Sequence, residues 1–490
     1  MKISISYPPL ETGKGVPLLS QNRQFQYFHK STYIYPVVPA YAATLLKQAG
    51  HEVIWDDGIA EEKSYEKWLQ DLSNREPEVI AIETKTPVVK KHWDIINELK
   101  INIPKAMIVL MGDHVTAIPI ESFKNSKVDI VITGGDYDFS LLSIAGWLEN
   151  KCELEPGIYY RRHKKISNTG KFVLNHDLNA LPFIDRDLTK WHLYAYNNGN
   201  YKDTPGAYVM AGRDCWWRND GGCTFCSWPT LYPNYRIRDP ALLVEEIGML
   251  ISKYKVKEVF DDTGTFPIGE WLKKFCKLMI ERGYNDELRF GCNLRFGSLK
   301  QEDYRLLRKA GCRMLLFGLE SANQFTLDKL NKGVNLDNVI AECKIARDED
   351  LEPHITIMVG YPWETRIEAM KTLDLAKVLM EKGSALTLQS TIVVPYPGSK
   401  LYDESIENDW FRVNPDDYDR FDMSEPVLKT QDMGPDEILD ICDGIYRVFL
   451  SPRYMLRHLV RVRSIKDMKY SIKGVVKVLG HVKDFGKKTK

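Results

Sequence analysis

The chain has 490 residues, 44% apolar and 27% charged, with 67 basic residues against 67 acidic ones. That length exceeds one ordinary hydrophobic core, so two or three domains are expected, and the balanced charge gives no pointer to nucleic acid as a partner. Nine cysteines scattered through so long a chain do not make a disulfide framework. "MKISISYPPL" turns to proline before an apolar core forms, so no secretory signal is expected. No apolar run reaches the ~18 residues of a membrane span. A reducing, cytoplasmic setting is expected, where clustered thiols point to metal or catalysis.

Residues 1–150 alternate strand and helix signals. "KISISY" (2–7) alternates and stops at Pro8-Pro9; a helical pattern over 38–49 closes at Gly50; "HEVIWDD" follows as a strand. "VIAIET" (79–84), "AMIVLMGDH" (106–114) and "VDIVITGG" (128–135) are further strands, with Gly and Pro collecting at their carboxyl ends. Strands spaced by helices imply a parallel sheet with a ligand site beyond those ends. Residues 151–205 are polar and read as a linker with a small hairpin.

A second α/β series starts near Ala207. Its strands are "AYVMAG" (207–212), "VKEVFDD" (256–262), "LRFGCNLR" (288–295), "RMLLFGLES" (313–321), "HITIMVGYP" (354–362) and "LTLQSTIVV" (386–394). Asp239 and Pro240 mark a helix start over 239–254. Six such β/α units over 206–405 predict a partial or full barrel of parallel strands, with its site at the strands' carboxyl ends. Residues 406–490 are read as a helical C-terminal region.

The first of these strands runs into "RDCWWRNDGGCTFCSW" (213–228), which holds Cys215, Cys223 and Cys226. Three soft thiolates, two as Cys-x-x-Cys, suit metal chemistry. An iron–sulfur cluster accepts three thiolates and leaves one iron open. A structural zinc site would want a fourth ligand, and no His lies between His192 and His354; inert structural thiols are the third reading. Cys152, Cys276, Cys292, Cys312, Cys343 and Cys442 fall in contexts of ordinary buried or linker thiols.

The stretch "AGRDCWWRNDGGCTFCSW" with "YRIRDPALLVEEI", then "FDDTGTF", "LFGLES", "MVGYPWET" and "VVPYPGSKLY" in order, resembles the radical S-adenosylmethionine (SAM) enzymes over residues 1–450. "YPP", "MGDHVTAIP" and "VDIVITGG" resemble the cobalamin-binding domain that precedes the barrel in one large subfamily. The resemblance implies an α/β fold: an N-terminal Rossmann-like cobalamin-type sheet, then a partial (β/α)6 TIM-like radical SAM barrel, then the helical region. Two features depart from the family pattern. Seven residues separate Cys215 from Cys223 where three are usual, and "GDHVTA" lacks the Asp-x-His-x-x-Gly motif whose histidine coordinates cobalt. "TGGD" also stands in place of the usual Gly-Glu-Gly-Glu.

The resemblance implies that Cys215, Cys223 and Cys226 hold a [4Fe–4S] cluster, whose open iron binds SAM for cleavage to a 5′-deoxyadenosyl radical. It places Phe225 near the adenine, Asp261, Asp262 and Thr263 near the SAM amino group, Glu320 and Ser321 near the ribose, and Gly360 and Glu364 at the adenine pocket. Arg295 would pair with a carboxylate of SAM or substrate. The plainer alternatives are rim packing for Phe225 and helix capping for the aspartates. A buried Glu320 needs a partner in either case, and His354 is expected to be structural. Pro8, Pro9, Gly112, His114, Thr116 and Gly134 would line a corrin ring, or else form ordinary turns. The implied reaction is cobalamin-dependent methylation of an unactivated carbon or phosphorus. The alternatives are radical cyclisation, rearrangement or carbon–carbon joining without methyl transfer, and a non-catalytic corrinoid- or metal-binding module. A flavodoxin- or ferredoxin-type electron donor and a small-molecule or lipid substrate are expected partners. Residues 451–490 carry four arginines and eight lysines against Asp467 and Asp484, a net charge of +10. That end reads as a solvated tail or as an amphipathic segment resting peripherally on anionic lipid.

Overall fold

The computed structural model describes residues 1–19, 25–29, 31–162, 165–461 and 468. The first sheet contains β1 (Lys2–Tyr7), β2 (Glu52–Asp57), β3 (Val79–Thr84), β4 (Met107–Gly112) and β5 (Ile130–Ile132), parallel in the order β2-β1-β3-β4-β5. β3 is buried along its whole length, as a strand covered on both faces must be. Helices α1 (Val37–Gln48) and α2 (Tyr137–Leu148) pack on each other beside this sheet. The strand order reverses between β1 and β3, the place where sheets of this order take ligands. There Tyr7 donates to Glu83 at 2.6 Å. The linker hairpin forms β6 (Ile158–Arg162) and β7 (Lys165–Asn168), and adds antiparallel to β5, so the first sheet runs past residue 150.

The second sheet contains β8 (Gly206–Val209), β9 (Glu258–Asp261), β10 (Arg289–Leu294), β11 (Cys312–Glu320), β12 (Glu352–Val359) and β13 (Thr387–Ile392). All six are parallel and lie side by side in chain order, with β8 and β13 as the edges. Register aligns Val209 with Asp261, Asp261 with Cys292, and Val359 with Ile392, so the carboxyl ends form one rim. Helix α3 (Pro240–Tyr254) starts as its sequence demands, with the Asp239 carboxylate accepting from Ala241 N–H at 2.8 Å.

The region after 405 is less helical than its sequence suggests. Between a short helix at Lys400–Glu407 and α4 (Pro435–Arg447) the chain is irregular. Phe411, Val413, Phe421, Val427 and Leu428 of this stretch bury against Met358, Tyr361 and Trp363 in a separate small core at the rim. Burial there outweighs helix propensity, and the stretch reaches the first sheet: Lys14 donates to Asp422 at 2.5 Å and Tyr418 to Glu121 at 3.3 Å. A last helix spans Pro452–Arg461; the basic end expected to touch lipid lies, from 462 on, outside the described residues except Met468. No helix among the described residues is long and apolar enough to cross a membrane.

A buried ionic clamp joins the two sheets' layers. Glu246 of α3 accepts from Arg186 of the linker at 3.1 Å and from Arg238 at 2.8 Å, and Arg238 also donates to Tyr41 of α1 at 2.7 Å. Burial alone would raise the Glu246 carboxyl; the two guanidiniums outweigh it and hold it below the usual range. Removing one member leaves buried charge unpaired, at a cost of about 3–5 kcal/mol. Glu246→Gln should therefore lower the urea midpoint clearly below that of the exposed control Glu270→Gln. Equal midpoints would contradict the clamp.

Candidate functional site

The stretch from Ala211 to Arg238 runs between the carboxyl ends of both sheets. On the second-sheet side, Asp261 accepts from Ala211 N–H at 2.7 Å and Thr263 Oγ1 from Gly212 N–H at 3.0 Å. On the first-sheet side, Arg213 donates to Asp138 at 2.6 Å, Arg236 grips Asp136 at 2.7 and 2.8 Å, and Gly135 N–H donates to Leu231 O at 3.0 Å. All three cysteines of this stretch lie outside any disulfide and are half-buried. Cys226 packs against the core of the first sheet, whereas Phe225 packs against the small rim core.

Each thiol has a polar neighbour or an anchored backbone. Cys215 Sγ lies 2.9 Å from Thr265 Oγ1, and Arg295 donates to Cys223 Sγ at 3.6 Å. Cys226 N–H closes a turn on Cys223 O at 3.2 Å. Asp214, at φ +69°, holds Arg218 through two bonds of 2.7 and 3.0 Å. Cys215 and Cys226 add to the negative field that, with Asp214, raises the Arg218 guanidinium against the opposing pull of burial. Gly264 permits this arrangement, since a Cβ there would sit 2.5 Å from Asp214 O and 3.1 Å from Cys215 Cβ. Among the described residues no three His, Cys, Asp or Glu side chains converge as one metal ion requires. A zinc cage needs that convergence, whereas a four-iron cube takes each thiolate on a separate iron.

The second-sheet residues singled out in the sequence do collect on the rim, with their polar atoms largely spoken for. Asp261 is not a helix cap: its two oxygens accept from Ala211 and Thr263 N–H, and burial raises its carboxyl to about 6. Asp262 is half-buried, with its N–H on Val209 O at 2.9 Å. Arg295 faces a thiol and the Lys332 carbonyl rather than a carboxylate. Glu320 has the partner it needs in Lys332, at 2.7 Å. Glu364 accepts from Ser321 and Thr326 hydroxyls, both at 2.7 Å, tying β11 to the turn after β12. Gly360 backs onto Ile438 and Ile392. His354 sits 2.8 Å from the Thr387 hydroxyl as a structural side chain.

At the first sheet, Gly112 has φ +140° and leaves no room for a Cβ against Thr84 O. Thr116 donates to Gly112 O at 2.7 Å and accepts from Gly134 N–H at 3.2 Å, so these strand-end loops are tied together. Gly134 packs on Phe172. Pro8 and Pro9 are buried, and Pro9 packs against Gly58. His114 is fully buried between Thr86 at 3.2 Å and Glu121 at 3.1 Å, with Tyr418 edge-on at 4.7 Å. Glu83, raised to about 7 by burial, lies near the fully buried Tyr137, whose hydroxyl has no hydrogen-bond partner.

Residues the sequence reading passed over frame the cysteines. The buried hydroxyls of Tyr235 and Tyr361 have no partner either. Tyr235 is raised by burial and then by Cys215, Tyr361 by burial and then by Glu320, Glu364 and Cys223. Two phenols near the thiols thus have hydrogen-bonding capacity open to water or a polar ligand. The other buried thiols stand apart: burial pushes Cys343 and Cys442 up to about 12 and leaves them unreactive.

The family model of the radical SAM superfamily matches residues 211–376, the span that carries this loop and β9 to β12. Residues 211–376 therefore carry a radical SAM domain. An uncharacterised methyltransferase of Pyrococcus horikoshii is 23% identical over 90% of this chain and 94% of its own length. An anaerobic magnesium-protoporphyrin IX monomethyl ester cyclase of Cereibacter sphaeroides is 24% identical over 86% of this chain and 68% of its own. The fold of the chain is shared by two enzymes of that superfamily, one solved as a cobalamin-dependent enzyme and one with cobalamin bound. OxsB superposes with a TM-score of 0.68 at 12% identity, covering 98% of this chain and 71% of the other. TsrM from Kitasatospora setae gives 0.63 at 14%, covering 91% and 85%. The superfamily's cofactors are a [4Fe–4S] cluster and SAM. Gly264→Ala should leave the far-ultraviolet circular dichroism unchanged and cut iron retained after anaerobic reconstitution severalfold; wild-type iron content would contradict the packing assigned to Gly264.

Proposed function

We propose that the chain is a cobalamin-dependent radical SAM methyltransferase acting on an unactivated carbon or phosphorus. The half-buried cysteine loop, clamped between the carboxyl ends of two parallel sheets and flanked by orphaned phenols, carries this reading. We read the first sheet as a Rossmann-like corrinoid domain and the second as the partial radical SAM barrel. Cys215, Cys223 and Cys226 would hold the cluster, which with SAM supplies one-electron cleavage of the sulfonium to a 5′-deoxyadenosyl radical. Cobalamin at the first sheet would supply a methyl carrier.

The protein's own residues bind, orient and exclude water. Phe225, Asp262, Thr263, Glu320 and Gly360 would contact SAM at the rim, and the Tyr235 and Tyr361 hydroxyls, which lack a protein partner, would donate to its polar groups. Asp261, Ser321 and Glu364 act a step behind, since their oxygens hold the backbone and neighbouring hydroxyls. At the first sheet, the unpaired Tyr137 hydroxyl and the Gly112 turn support a polar ligand lying on the strand ends beside Tyr7 and Glu83. With His114 engaged by Thr86 and Glu121, it would not serve as an imidazole ligand to a corrinoid bound here. An electron donor of flavodoxin or ferredoxin type and a small-molecule or lipid substrate complete the reaction. The likeness to a cyclase over most of the chain supports one second reading, ring formation or rearrangement without methyl transfer.

Anaerobic protein given iron, sulfide, dithionite, methylcobalamin and SAM should form 5′-deoxyadenosine, and Cys223→Ala should abolish it. Methyl transfer predicts S-adenosylhomocysteine beside the nucleoside once substrate is present. The nucleoside alone favours the second reading, and neither product contradicts both. Phosphatidylglycerol vesicles should retain the full chain and not a variant lacking residues 464–490; equal retention removes the lipid-surface role.

A further inference from the structure

The lengthened spacer between Cys215 and Cys223 is ordered, and its residues meet at one side chain. Trp216–Asp220 form a single 3-10 turn, placing the two indoles nearly perpendicular with centroids 6.0 Å apart. The Arg295 guanidinium lies 4.1 Å from the Trp217 ring and 5.7 Å from the Trp216 ring. Trp217 is fixed in turn: its Nε1 donates to Asn331 O at 2.7 Å, and Asn331 Nδ2 donates to Asp220 O and Gly222 O, each at 2.8 Å. Arg295 is itself buried, donates to the Lys332 carbonyl, and points its other amino group at Cys223 Sγ, 3.6 Å away.

We infer that Arg295 is a positioning and tuning residue for the cluster, and that the extra residues of the spacer exist to hold it on the Cys223 sulfur. This rests on the cluster assignment above. A guanidinium stays protonated under all working conditions and stacks flat on an indole, where an ammonium would not. Its charge and its N–H both favour the more negative, reduced form of whatever the thiolate ligates, and hydrogen bonds to ligand sulfurs set such potentials. Reduction adds one electron from a one-electron carrier, dithionite in the laboratory. Cys223 remains a thiolate, Arg295 keeps its protons, and no bond at either residue forms or breaks. Trp217 acts through Arg295 and touches no reacting atom.

Arg295→Leu, Arg295→Lys and Trp217→Ala should be reconstituted anaerobically as full chains, assayed for iron and sulfide, and titrated with dithionite under electron paramagnetic resonance. At iron contents equal to wild type, the midpoint should fall in all three, most in Arg295→Leu. Unchanged midpoints throughout would overturn the inference. A fall in the Arg295 variants with none in Trp217→Ala would overturn the role given to the tryptophans. Should Arg295→Leu take up no iron, Trp217→Ala decides, because it keeps every ligand and the guanidinium. Wild type without iron would instead sink the cluster assignment itself.

Discussion

The site depends on one constraint, the double anchoring of the cysteine-bearing stretch. Its start hangs on Asp261 and Thr263 at the end of β9, and its arginines are planted on Asp136 and Asp138 where the first sheet ends. Neither sheet can shift against the other without breaking buried, charge-assisted bonds. Such bonds are costly to leave half-made. The clamp of Glu246 with Arg186 and Arg238 repeats the device farther from the rim. Two sheets that share no strand are therefore held with their carboxyl ends on one loop.

Charge balance follows from that geometry. Three cysteines that ligate as thiolates in a half-buried loop would repel one another, and two guanidiniums lie close enough to offset that charge. Arg218 reaches the loop from within its own turn, and Arg295 reaches it from the end of β10. The same logic explains why Glu320 is paired with Lys332 rather than left bare on an apolar strand. Among the groups left without a partner are the neutral phenols of Tyr235 and Tyr361, which cost less to leave open than a charge and remain ready to donate.

Much of this was legible in the sequence. β3 spans the residues 79–84 read as a strand in the sequence, and the loop thiols separate from the six others by spacing alone. What escaped has a common cause: partners distant in sequence. Asp261 reads as a strand-end carboxylate free for ligand, yet one oxygen is taken by Ala211 N–H, brought in from the loop after β8, and the other by Thr263 N–H. His114 reads as a ring contact, yet Glu121 and Tyr418 enclose it. Lys332, Asn331 and Tyr361 carry no local signal, since only the parallel register brings β11 and β12 beside the cysteines. The irregular stretch 408–434 was masked by helical flanks, because its apolar residues serve a core that exists only once the rim has assembled.

The central claim is that Cys215, Cys223 and Cys226 cradle one cluster between the two sheets. Diffraction at the iron absorption edge from anaerobically reconstituted crystals tests it most directly. The account predicts a single strong iron peak enclosed by those three sulfurs, with Tyr235 and Tyr361 alongside. A peak anchored on other residues, or iron bound without any of the three thiols, would contradict it.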